Sequence, residues 1–293
     1  MCTVTCFGEV LWDVFPDHKS IGGAPLNVAI RLASFGNKVN MISSVGTDND
    51  GKKLVGFIEE NGVNTNGIQV CSNFKTSNVV VSLDDNGSAT YKIEKPCAWD
   101  DIHITDILRS ITSNSDVFIY GSLCVRSEKS KSTLMHLLNY AGFKVFDVNL
   151  RRPHYENEDL FDLMLVADLI KFNDDEIAEI CGNLNFESES IEDMIKFISH
   201  RTRTNLICVT LGRNGAVFYK KGKFYRNDGY NVKVKDTVGA GDSFLATLID
   251  GLMGQIDIQI ALDRACAIGA IVASKNGATP TISKNDIDRL INT

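Results

Sequence analysis

The chain has 293 residues, 44% hydrophobic and 23% charged, an ordinary globular composition. Its 30 basic and 37 acidic side chains leave a net charge of −7, which gives the chain as a whole no electrostatic case for nucleic acid. No apolar run reaches membrane-spanning length, and the start lacks a basic stretch followed by an apolar one, so a cytoplasmic protein with no membrane partner is expected.

The predicted elements alternate. Residues 4–7 form the first strand candidate and run into Gly8-Glu9-Val10-Leu11-Trp12-Asp13, a strand end followed by a loop acid. Gly22-Gly23-Ala24-Pro25-Leu26-Asn27 then opens a helix, with Pro25 suited to its first turn and Gly36 to its stop. Asn27 falls about one turn in, where its amide can meet a polyol or simply face water. Residues 39–45 make a second strand. Behind it, residues 46–53 have the spacing G-x-x-x-x-G-K of a P-loop. That reading is rejected: Lys53 replaces the Ser or Thr that holds magnesium, and Asp48 and Asp50 would sit against phosphates.

Residues 78–93 break the pattern. They centre on Asn86-Gly87, the strongest short hairpin signal, and Ala89, Tyr91 and Ile93 alternate with Ser88, Thr90 and Lys92. Strand candidates at 117–120, 144–148, 169–172 and 206–210 follow, with helical stretches at 130–141, 176–181, 191–199 and 258–274. Strands alternating with helices argue for a largely parallel sheet with helices on both faces. Ligands in such folds gather at the carboxyl ends of strands, where Asp13, Asn149, Asn173 and Gly212 fall.

The most informative segment is Asp236-Thr237-Val238-Gly239-Ala240-Gly241-Asp242-Ser243-Phe244. A small-residue loop opens an apolar-periodic helix and places an acid in its first turn. Such a helix start offers free amides and about half a positive charge. An anion pocket beside a carboxylate suits phosphoryl transfer, whereas an isolated G-A-G-D is more often a plain cap. The eight cysteines are scattered, and Cys124, Cys208 and Cys266 lie in apolar stretches as core residues. His18, His103, His136, His154 and His200 show no metal-ligand spacing.

The segments G-G-A-P-L-N-V-A and D-T-V-G-A-G-D-S-F together resemble the two signatures of the ribokinase-like (PfkB) family of sugar and nucleoside kinases. Asn173-Asp174-Asp175-Glu176 is similar to that family's N-x-x-E, and Thr210-Leu211-Gly212 with Gly215 to its nucleotide-binding T-x-G…G. Within the family, G-E-V-L-W-D-V-F-P and Asp147-Val148-Asn149-Leu150-Arg151 look most like fructokinases.

The resemblance implies an α/β, three-layer fold with a central mostly parallel sheet. It implies one kinase domain over 1–293, with a small β lid from about 14–21 and 76–98. It implies ATP and Mg2+, with K+ as a further cofactor, and a homodimer through the lid. Asp242 would be the base, and Gly239, Ala240 and Gly241 would give amides to the phosphate in flight. Asp13, Gly23 and Asn27 would bind the sugar. Arg151 would meet sugar or phosphate, or pair with an acid on the surface. Asn173, Thr210, Gly212, Gly215 and Asn276 would line the nucleotide. Glu176 would act on magnesium through water. Asp236 and Thr237 would hold the monovalent cation, or Asp236 would cap the preceding turn. The expected reaction is phosphorylation of fructose. The alternatives are another kinase of the family, acting on ribose, 2-keto-3-deoxygluconate or a nucleoside, and a non-catalytic sugar sensor.

Overall fold

The computed structural model describes residues 2–83 and 89–291. The chain divides into two compact units, one mainly of residues 143–293 with 119–123, the other of residues 3–118 with 124–142.

The second unit contains β1 (Thr3–Phe7), β2 (Leu11–Val14), β3 (Lys19–Gly22), α1 (Ala24–Ser34), β4 (Lys38–Gly46), α2 (Asn49–Glu60), β5 (Val63–Cys71), β6 (Ser77–Leu83), β7 (Ala89–Ile93), α3 (Asp106–Ser113), the start of β8 (Val117–Gly121), and α4 (Glu128–Leu138). Strands β8, β1, β4 and β5 are neighbours in that order, and β1–β4 and β4–β5 are parallel. Of these, β1 and β8 are buried on both faces, as inner strands of a helix-covered sheet must be. A separate four-stranded sheet has the order β3-β2-β6-β7, with β2 and β6 parallel and the outer pairs antiparallel. The expected hairpin is β6 and β7; its Asn86-Gly87 turn lies outside the described residues.

The structure corrects the reading of the first segment. Asp13 is not on a loop after a strand but inside β2, paired with Ser20 on one side and Val79 on the other. Residues 13–20 hold a short hairpin, and the small sheet therefore starts at Leu11. The P-loop look-alike is a helix start. Asp48 caps α2 by accepting from Gly51 N at 2.8 Å, and also takes Thr76 N at 2.8 Å and Thr76 Oγ1 at 2.7 Å.

The first unit holds the rest of β8, then β9 (Phe143–Asp147), α5 (Asn157–Leu165), β10 (Leu169–Asn173), α6 (Asp174–Asn183), α7 (Ile191–Thr202), β11 (Leu206–Thr210), β12 (Ala216–Lys220), β13 (Lys223–Asn227), α8 (Ala240–Met253), α9 (Ile258–Ala273) and α10 (Lys284–Ile291). Its strand order is β13-β12-β11-β10-β9-β8; β9, β10 and β11 run parallel, and β12 and β13 form an antiparallel edge. Strand β11 matches its predicted bounds, while β9 ends one residue early, at Asp147. The fold is the expected α/β arrangement, a mostly parallel sheet flanked by helices. Cys124 and Cys208 are fully buried and Cys266 nearly so; burial pushes the Cys266 thiol up to about 12, as befits inert core residues. Among the described residues no helix is long and apolar enough to cross a membrane.

Candidate functional site

The loop before α8 is built to leave amides open. Gly239 is the N-cap in left-handed conformation (φ 75°), and no side chain caps the helix. A side chain at 239 would strike the backbone of Ala278, so only glycine fits. Among the described residues, no acceptor pairs with the amides of Gly239 or Gly241. Ala240 differs from expectation: its N–H donates to Thr237 O at 3.2 Å, closing the turn. Asp242 is the third residue of α8, half-buried in its first turn. The helix dipole favours its charged form there.

Beneath this turn lies a group of charges. Lys171 on β10 is 6% exposed, and its Nζ is 2.9 Å from Asp147 Oδ1 at the end of β9. Burial works against the ammonium, but the carboxylates of Asp147, Glu176 and Asp242 outweigh it and hold its pKa above the ordinary value. Neither Lys171 nor Asp147 was assigned a role from sequence. The signal was available: a lysine between Ile170 and Phe172 in an otherwise apolar strand is out of place unless paired.

Asn173 and Glu176 form a reciprocal cap at the start of α6. Asn173 Oδ1 accepts from Glu176 N at 2.8 Å, and Glu176 Oε2 accepts from Asn173 N at 2.8 Å. Glu176 Oε1 takes Leu150 N at 3.0 Å, fastening the loop after β9. Burial raises the Glu176 carboxyl, against the pull of Lys171. Both oxygens of Glu176 thus serve backbone amides. Among the described residues, no three His, Cys, Asp or Glu side chains cluster as a metal site.

The remaining nucleotide candidates flank these. Thr210 ends β11 in register with Asn173, and its Oγ1 donates to Phe172 O at 3.3 Å. Gly212 opens a short 3-10 turn, and Gly215 lies against Asn227. Asp236 accepts from Val238 N at 3.0 Å and from Gly277 N at 3.2 Å, tying its loop to the exposed turn at Asn276. The turn it caps is the one that follows it, not the preceding one. Thr237 is exposed. Arg151 is exposed and donates to Leu150 O at 2.9 Å; the acid pair belongs to Arg152, 2.8 Å from Glu179.

In the other unit, Gly23 is the N-cap of α1 at φ 117°, and a side chain there would strike Glu9 O. Asn27 N donates to Gly23 O at 2.9 Å. Asn27 is only 6% exposed, not the helix-surface residue that the bland reading expects. Asp13 on β2 lies against Gly22. An acid and an amide are therefore held near a glycine turn, with no fixed positive charge in the first turn of α1.

The sequence profile of the "pfkB family carbohydrate kinase" matches residues 3–285. Probable fructokinase-5 of Arabidopsis thaliana is 28% identical over 310 residues, spanning 95% of this chain and 94% of its own. The fructokinase of Solanum tuberosum is 29% identical over 304 residues, spanning 95% and 92%. Among solved structures, the fructokinase of Vibrio cholerae O395 in its fructose-, ADP- and calcium-bound form superposes with a TM-score of 0.86 at 25% identity, over 99% of each chain. With the glycine-led anion loop and its acid in place and the profile matched nearly end to end, the chain belongs to the pfkB family of carbohydrate kinases.

Proposed function

We propose that the protein transfers the γ-phosphoryl group of ATP to a hydroxyl of free fructose. The observation that carries this reading is Asp242 in the first turn of α8, beside the open amides of Gly239 and Gly241. The acceptor oxygen attacks the γ-phosphorus, its proton passes to Asp242, and the bond from that phosphorus to the β–γ bridging oxygen breaks to release ADP. The amides and the positive end of α8 hold the charge that develops on the phosphoryl oxygens. Asp13, Gly23 and Asn27 bind the sugar hydroxyls. Asn173, Thr210, Gly212, Gly215 and Asn276 take the nucleotide.

A divalent cation, Mg2+ in the ordinary case, enters with ATP on its phosphates and water rather than on a protein cage. Asp236 with carbonyls of its loop offers the hard oxygen donors that a monovalent cation such as K+ needs. The whole chain works as one kinase domain, and the sheet β3-β2-β6-β7 serves as its lid, excluding water from the reaction. Fructose is favoured by the relatives that bear that name.

ATP-coupled turnover against fructose, ribose, 2-keto-3-deoxygluconate, glucose and adenosine tests the reading. Fructose is expected to give the highest kcat/KM. A clear preference for another acceptor would keep the chemistry and replace the substrate. Sugar binding without turnover of any acceptor would overturn the kinase reading in favour of a sensor.

A further inference from the structure

Lys171 has no part in the reaction described above, yet its place is unusual. It is a buried cation in the strand that leads to Asn173, with Ile170 and Phe172 fully buried on either side. Asp147 fixes its ammonium at 2.9 Å. A Cβ built on Gly241 would stand 3.4 Å from Lys171 Nζ, so the charge lies directly against the first turn of α8. The titratable groups in its field are Asp147 from β9, Glu176 from α6, Asp242 from α8 and the Cys208 thiol from β11.

Three carboxylates thus surround one ammonium. Without that cation they would repel one another and repel the phosphates that the loop must accept. We propose that Lys171, held by Asp147, is a positioning residue that balances charge beneath the α8 loop, keeping Asp242 ionised and the loop receptive to the nucleotide's phosphates. The proposal rests on Asp242 being the base. The competing view is a buried ion pair with a packing role only, which such pairs often have.

Opposite charge changes separate the two. Lys171→Met removes the positive charge, Asp147→Asn removes a negative one, and the double variant removes both. In kcat–pH profiles at saturating ATP and acceptor, the acid limb should move up by about one pH unit in Lys171→Met. It should move down in Asp147→Asn and return toward the parent in the double variant. The KM for ATP should rise about tenfold in Lys171→Met and recover in the double variant, with the acceptor KM unchanged. Lys171→Arg should keep the parent limb.

A packing role would lower stability and turnover in every variant without moving the limb in opposite senses. Shifts in the same direction, or an unmoved limb and ATP KM in variants that melt cooperatively, would overturn the proposal. If Lys171→Met fails to fold, Asp147→Asn and the double variant still decide it through the relative position of their limbs. Asp242→Asn run alongside keeps the two readings apart. Retained turnover there would defeat the base assignment, whereas a dead Asp242→Asn with an unmoved Lys171→Met limb would defeat the Lys171 proposal alone.

Discussion

Two helices in this chain begin alike and differ in what they carry. Both α1 and α8 start at a glycine with positive φ, Gly23 and Gly239, and neither has a side-chain cap. At both glycines a Cβ would meet backbone, so each turn is closed to any other residue. The first turn of α1 has no acid and buries Pro25, Leu26 and Asn27. That of α8 carries Asp242, half-buried, with the Lys171–Asp147 pair beneath it. On the proposed reading, one start takes neutral hydroxyls and the other a charge that moves during the reaction. An uncapped helix end is therefore a template, and the residues of its first turn decide which ligand it takes.

The comparison can be broken at the acid first. Asp242→Asn should lower kcat by roughly 10²–10⁴-fold with little change in either KM, measured by coupled assay. Next come the glycines. Gly239→Ala and Gly23→Ala should each lose at least about 1–2 kcal/mol of stability from their positive-φ backbone, seen as a lower denaturation midpoint. In the fraction that stays folded, Gly239→Ala should raise the KM for ATP and Gly23→Ala that for the acceptor. Asn27→Ala should raise the acceptor KM about tenfold and leave that for ATP alone.

The smallest effect should come from Asp48, a helix cap with no assigned catalytic role. Burial alone would raise its carboxyl, but hydrogen bonds from Thr76 and Gly51 hold it below the ordinary range. Its contribution is therefore present above the unfolded carboxylate pKa and lost as pH falls through the lower folded value. Asp48→Asn should lose about 1 kcal/mol at pH 7, with the gap to the parent narrowing toward pH ~3 and kcat unchanged.

The strands at 117, 144, 169 and 206 were legible because each is an apolar run of strand length between turn residues. The two glycine signatures were legible because their backbone demands are local. Asp13 was misplaced because β2 and β3 are only four residues each, so periodicity had too little to act on. The N-x-x-E motif was read for its ligand chemistry, although Asn followed by Glu three residues later is equally a helix-start pattern. Glu176 serves that pattern and also holds Leu150, which sits 26 positions earlier in the chain. The Lys171–Asp147 pair joins residues from two strands, and only the parallel register of β9 and β10 puts them side by side. Charge balance of this kind is a property of the sheet, invisible to any local window.

The chain has two tryptophans, and both lie in the unit that carries Asp13 and Asn27. Trp99 is fully buried with the Arg126 guanidinium 3.8 Å over its ring. Trp12 adjoins Asp13 on β2 and is only part-buried, its indole N–H donating to Asp50 O at 3.2 Å. Indole emission therefore arises wholly from that unit, against a constant background from the sheltered ring. With Asp13 binding the acceptor as proposed, Trp12 would serve as an intrinsic optical gauge of that binding, one residue from the carboxylate and without an attached dye.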